Sequence, residues 1–251
     1  MIFTATWVVF SRQMRQLIRN PVWVFFGLTQ PILYLVLFGP LLKNVSGGGL
    51  GGEDSWNVFV PGLLLQLAIF GAGFAGFAII QELREGVVDR QRVTPAPRFS
   101  LIMGRTLSNV VTIGMQGSLL TVVAIPFGLH PSWGGVLLSL TLICILALGI
   151  ASASYAMGLI LGNEDSFAPM VQGVSLPLLL LSGVLLPMTL APSWLQFLSK
   201  LNPLSYVVAA ERALFHGEFR SSSILTGMLT AIGFTIFLAW WATRRFGKMS
   251  A

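Results

Sequence analysis

The 251-residue chain is short of charge: Asp, Glu, Lys and Arg make up 10% of it and hydrophobic residues 55%. A soluble domain carries about 25% charged residues, so a water-soluble globule is excluded. Cysteine is almost absent. Cys144 is the one thiol, which rules out an intrachain disulfide and leaves the redox compartment unmarked. Histidine is nearly as scarce. His130 and His216 lie in separate segments, and no HExxH or CxxC occurs, so the sequence shows neither a dedicated metal site nor a nucleophile with its base and orienter. The glycine-rich stretch SGGGLGG at 46–52 lacks the Lys and Ser/Thr of a phosphate-binding GxxxxGK[S/T] loop and reads as a flexible connector. The chain is therefore expected not to be an enzyme and to hold no metal or cofactor. A net charge of +6 is too thinly spread for a nucleic-acid footprint and reports membrane topology instead.

What the chain has is long apolar runs. Six of them, at 22–42, 58–80, 107–127, 136–161, 167–187 and 224–242, approach the roughly 20 residues that cross a bilayer as helix. None alternates as a membrane β-strand would. The predicted fold is an all-α integral membrane protein of six transmembrane helices, forming a single domain over 1–251. Lys and Arg concentrate in three segments: Arg12, Arg15 and Arg19; Arg84, Arg90, Arg92, Arg98 and Arg105; and Arg244, Arg245 and Lys248. Positive charge near span ends is retained inside, so both termini are expected in the cytoplasm, with the protein multi-pass in the plasma (inner) membrane. The short loop at 162–166, predicted inside, departs from this pattern, with Glu164 and Asp165 and no basic residue.

Residues 1–20 place Phe3, Trp7, Phe10, Met14 and Leu17 on one helical stripe, with the three arginines elsewhere. This pattern fits an interfacial helix on the inner leaflet, its arginines near anionic lipid headgroups. Within the spans, Gln30, Gln66, Gln116 and Gln172 must find partners or face a wetted path. Interhelical hydrogen bonds and substrate contact are both open readings, with Gln66, Gln116 and Gln172 kept as candidate pathway residues. Few ionisable residues lie mid-span, which disfavours coupling to an ion gradient. Energy for uphill movement would then enter from another chain. Small residues, including the GxxxG pair Gly158 and Gly162, suit close helix packing.

Two segments stand out. At 81–105 the apolar pattern breaks into eight charged residues around Thr94, Pro95, Ala96 and Pro97, a mixed-sign surface suited to docking a partner. The second, at 188–223, holds apolar pieces too short to span, interrupted by Pro192 and Pro203, and reads as short re-entrant or interfacial external helices.

The order of these parts resembles the permease subunit of ABC type-2 exporters, in particular the daunorubicin-resistance branch. The resembling features are an amphipathic N-terminal helix ending in RNP at Arg19 to Pro21, EGVVDRQRVTPAPR after the second span, and NPLSY at Asn202 to Tyr206 before the last. The resemblance covers nearly the whole chain. It implies a six-helix subunit that pairs with a second, identical or homologous permease and binds two cytoplasmic ATPase subunits, which would carry the ATP and Mg. It further implies an ATPase-coupling segment with Glu82, Arg84, Glu85, Asp89, Arg90, Arg92, Thr94 and Pro95, a lesser contact at Glu164 and Asp165, and an external gate including Asn202, Pro203 and Tyr206. The function so implied is ATP-driven export of hydrophobic or amphipathic compounds, drugs or lipids. Export of a polysaccharide or lipid-linked glycan, and a membrane scaffold or sensor without transport, are the alternatives.

Overall fold

The computed structural model describes residues 2–20, 22–44, 55–86, 98–184, 188 and 191–248. Every helix or strand assigned among the described residues is helical: α1 (Ile2–Arg19), α2 (Val22–Asn44), α3 (Ser55–Gly73), α4 (Gly76–Arg84), α5 (Arg98–Ala124), a 3-10 turn (Ile125–Phe127), α6 (Trp133–Leu161), α7 (Glu164–Leu181), α8 (Ser193–Leu201), α9 (Pro203–Phe215) and α10 (Ser222–Lys248).

Among the described residues four stretches are long and apolar enough to cross a membrane: Trp56–Arg84, which joins α3 and α4, then Ile102–Phe127, Trp133–Leu161 and Ser222–Arg245. They cover four of the six predicted spans. The N-terminal pair Phe3–Arg19 and Val24–Phe38, bent by 65°, makes a fifth if counted as one span. The predicted run at 167–187 falls on α7, whose Pro169 and Pro177 lie inside the helix and whose first turn is acidic. Among the described residues it is not one of the helices long and apolar enough to cross a membrane.

α3 is the hub. Val60, Leu63, Leu64, Leu65 and Ala68 are fully buried, and Phe59, Leu67 and Ile69 nearly so, as expected of a helix apolar on every side and surrounded by others. Around it pack α2, α5, α6 and α9, while α6 also carries α10 and α4. The outer surface is apolar rather than polar, with Phe26, Val122, Leu137, Leu229 and Ile236 exposed. In water such a belt would aggregate; in hydrocarbon it is the solvated face.

α1 forms as predicted and lies along α5, but its stripe divides. Phe10, Met14 and Leu17 are partly buried, whereas Phe3 and Trp7 stay exposed at 90% and 66%. The inward face is set by a close approach: a Cβ on Gly104 of α5 would sit 2.8 Å from both the Thr6 carbonyl oxygen and Val9 Cβ. Arg12, Arg15 and Arg19 remain exposed.

The acidic loop that breaks the charge pattern has a local reason. α6 stops at Gly162, which takes the left-handed φ of +59° and returns its amide to the Gly158 carbonyl at 2.9 Å, a conformation that glycine adopts without Cβ strain. Asn163 then caps α7, its side chain accepting from the Asp165 amide at 2.9 Å. Glu164 and Asp165 occupy the first turn of α7, where the partial positive charge of a helix N-terminus favours carboxylates.

In the segment predicted to hold short re-entrant or interfacial external helices, α8 keeps Trp194, Phe197 and Leu201 exposed, as an interfacial helix should. α9 is a core element instead. Leu204, Val207, Val208, Leu214 and Phe215 are buried against α3, α6 and α10. It is too short to span, yet it packs like a span.

Candidate functional site

Of the residues predicted for coupling, Glu82, Arg84, Glu85, Glu164 and Asp165 are described, and they lie at one end of the bundle, where α4 stops and α7 starts. α4 ends in a turn whose Glu85 amide bonds to the Gln81 carbonyl and whose Gly86 amide bonds to Leu83. Arg84 and Glu85 are exposed there, and Gln81 donates to Glu85 Oε1 at 2.9 Å. Across the gap to α7, Arg84 Nη1 lies 3.2 Å from Glu164 Oε1, with the two side chains 56% and 42% exposed. So exposed an ion pair is worth at most about 1 kcal/mol. Its significance is positional: it brings the two separately predicted coupling segments side by side. Asp165 is exposed beside it.

Glu82 sits differently. Its carboxylate accepts from Arg105 of α5 at one oxygen and from Gln13 Nε2 of α1, at 3.3 Å, at the other. The side chains of Glu82 and Arg105 are 13% and 4% exposed, so Glu82 points into the protein while its neighbours Arg84 and Glu85 point out. Asp89, Arg90, Arg92, Thr94 and Pro95 lie outside the described residues, as does the predicted glycine-rich connector.

The candidate pathway glutamines do not share an environment. Gln66 of α3 is buried at mid-helix with no hydrogen-bond partner for its Oε1 among the described residues. Gln116 of α5 is buried and donates to the Val24 carbonyl of α2 at 2.9 Å, an interhelical bond. Gln172 is exposed on α7, on the face that also shows Leu176 and Leu180. Gln30 is exposed and donates to the Tyr34 hydroxyl at 3.3 Å.

At the far end Asn202 joins three helices. Its Oδ1 accepts from the Leu204 amide at 3.0 Å, capping α9, and its Nδ2 donates to the Leu178 carbonyl of α7 at 2.7 Å. Pro203 takes the first turn of α9, where its missing N–H costs nothing. Tyr206 donates to the Lys200 carbonyl at 3.0 Å. This geometry makes Asn202→Ala destabilising by about 1–2 kcal/mol, the cost of a lost cap. Asn202→Asp keeps the cap but not the donor to Leu178, so its thermal midpoint in detergent should fall between wild type and Asn202→Ala.

Residue-type reasoning gave no site role to Ser139, Ser154, Arg105 or the pair Glu211 and Arg212. Arg212 of α9 donates from Nη2 to the Gly183 carbonyl at 2.8 Å and from Nε to the Val58 carbonyl at 3.3 Å. Glu211 is fully buried and accepts from the Ser139 hydroxyl of α6. Among the described residues no group of three or more His, Cys, Asp or Glu could hold a metal.

The described residues thus form an all-helical bundle with an amphipathic N-terminal helix, and short packed helices precede the last span. Residues 4–216 match the ABC-2 type transporter family. The chain belongs to that family. Its relatives include the transport permease ycf38 of Cyanophora paradoxa, 29% identical over 222 residues, covering 87% of this chain and 77% of the relative. The inner membrane transport permease YadH of Escherichia coli K12 is 26% identical over 253 residues, covering 96% and 94%. The daunorubicin resistance ABC transporter permease protein DrrB1 of Streptomyces coeruleorubidus is 22% identical over 199 residues, covering 78% and 70%. This ABC-2 chain is thus a multi-pass membrane protein of a transport permease family.

Proposed function

We propose that this ABC-2 permease is the membrane subunit of an ATP-driven exporter that moves hydrophobic or amphipathic compounds, drugs or lipids, out of the cytoplasm or inner leaflet. The observation that carries the reading is the Arg84 to Glu164 contact, 3.2 Å long and open to solvent. It sets the start of the charged break beside the start of α7, as one docking face for a cytoplasmic ATPase requires. α2 and α7 complete six spans, both termini face the cytoplasm, and the membrane is the inner (plasma) membrane, as the name of the relative YadH suggests. ATP and Mg belong to two ATPase subunits, and a second permease copy or homologue completes the pathway. ATP binding closes the ATPase pair, the docked segments carry that rigid-body motion, and the bundles change the side to which their shared path opens.

The test is ATPase activity of the cognate ATPase in lipid nanodiscs, alone and with the permease, wild type or Glu85→Ala with Arg90→Ala. Wild type should form a stable complex and stimulate hydrolysis when an amphipathic substrate is added. The double variant should lose about tenfold of that stimulation, roughly 1.4 kcal/mol in barrier height. Absence of any ATPase from the wild-type complex removes the energy source and overturns the reading.

A further inference from the structure

The charged break has two stems, the end of α4 and the start of α5, and one side chain fastens both. Glu82 lies in the last turn of α4, which ends at Arg84. Arg105 lies seven residues into α5, which begins at Arg98, about two helical turns from its end. Their ion pair closes the stems on each other. The same carboxylate receives Gln13 from α1 on its other oxygen, so three helices converge on one group. One residue before Arg105, Gly104 admits α1 to backbone contact with α5 at Thr6. One turn further, the Ser108 hydroxyl donates to the Arg105 carbonyl at 2.8 Å.

Burial gives this arrangement its force. A surface ion pair is screened and weakly held, whereas a carboxylate and a guanidinium withdrawn from water are strongly penalised when either loses the other. The pair therefore holds its geometry under load better than the exposed Arg84 and Glu164 contact.

We propose that Glu82 is a positioning residue that clamps α1 and both stems of the charged break into one rigid unit, so that a push on the break moves the interfacial helix with it. The proposal rests on the exporter reading for its consequence but not for its geometry. It reassigns Glu82 from a surface that touches the ATPase to a buried fastening behind that surface, and adds Gln13 and Arg105 to the coupling machinery.

The experiment uses the full chain in nanodiscs, with Cys144→Ser and paired spin labels at Arg15→Cys on α1 and Glu85→Cys beyond α4, with and without the ATPase. The clamp variants are Glu82→Ala, Glu82→Gln and the exchange Glu82→Arg with Arg105→Glu, each also made without labels for ATPase assays. In the wild-type background the label separation should be a single narrow distribution. Glu82→Ala should broaden it and cut substrate-stimulated ATPase activity by about tenfold, while ATPase affinity stays within about twofold. Glu82→Gln, which keeps the Gln13 contact and guards against a folding failure, should broaden it less; the exchange should narrow it again and recover part of the stimulation. An unchanged distribution in both Glu82→Ala and Glu82→Gln overturns the clamp. Weakened ATPase binding with the distribution unchanged overturns it in favour of direct contact. If no ATPase binds the wild type, the exporter reading falls, while the label distances still decide whether Glu82 holds the three helices together.

Discussion

Gly158→Leu is expected to abolish the monodisperse folded permease, or to leave a remnant whose thermal midpoint in detergent is far below wild type. At Gly158 a Cβ would lie 2.7 Å from the Gly76 carbonyl oxygen and 2.8 Å from Ile79 Cγ2, where α4 crosses α6. One turn earlier on α6, the Ser154 hydroxyl donates to the Gly73 carbonyl at 2.5 Å, and the Gly76 amide donates back to it at 2.8 Å. Ser154 thus satisfies both sides of the break between α3 and α4, and it can reach them only because the helices touch backbone to backbone. A leucine there cannot be absorbed by a rotamer change, since the obstructing atom is a carbonyl. Overpacking of this sort costs about 1–3 kcal/mol where the core can yield, and more is expected where it cannot. Gly158→Ala should show a smaller loss of the same sign. Gly173→Leu on α7 is the control: among the described residues nothing lies within 4 Å of a Cβ there, so its midpoint should match wild type. Equal midpoints for Gly158→Leu and Gly173→Leu would remove the crossing, and with it the placement of Glu82 at the end of α4.

The paired glycines show how far residue pattern alone reaches. Gly158 and Gly162 read together as a packing motif, but only Gly158 is at a helix contact; Gly162 is a left-handed cap with a different job at the same spacing. Length and hydropathy identify the four long spans because a 20-residue apolar run has few other stable solutions in a membrane. The same criterion marks α9 only as a piece of 13 residues, too short to cross, and says nothing of its packing. Its burial comes from α3, α6 and α10, all distant in sequence. At the charged break, composition marks the segment but not the direction of each side chain. Glu82 and Glu85 look equivalent in the sequence, and their spacing puts both on one side of a helix, yet Glu82 is largely withdrawn from water within α4 while Glu85, the residue that caps it, is exposed. What sets them apart is Arg105, 23 residues away, and a glutamine on α1. Asn202 was legible as part of a motif, but its donor to Leu178 was not.

Glu211 should make the stability of the permease fall as pH rises, and Glu211→Gln should remove that dependence. α9 lies outside the candidate spans, and its Glu211 is fully buried, one oxygen accepting from Ser139 and the other without a partner among the described residues. Burial pushes this carboxyl well above the ordinary glutamate range, and the Ser139 hydrogen bond opposes the shift more weakly. Arg212, next in sequence, spends its guanidinium on the Gly183 and Val58 carbonyls. A carboxyl raised in the folded state holds its proton more tightly there than in the unfolded chain. Its stabilising contribution is complete below the unfolded value of about 4.3 and is lost as pH climbs through the folded one. Glutamine cannot titrate and still offers an oxygen to Ser139, so its thermal midpoint should equal wild type at acid pH and exceed it at the alkaline end of that window. Glu211→Ala strands the Ser139 hydroxyl and opens a cavity, a loss of about 2–4 kcal/mol at every pH. Parallel pH profiles for wild type and Glu211→Gln would mean that Glu211 is ionised in the folded protein. The α9 to α6 contact would then need a counter-charge drawn from outside the described residues.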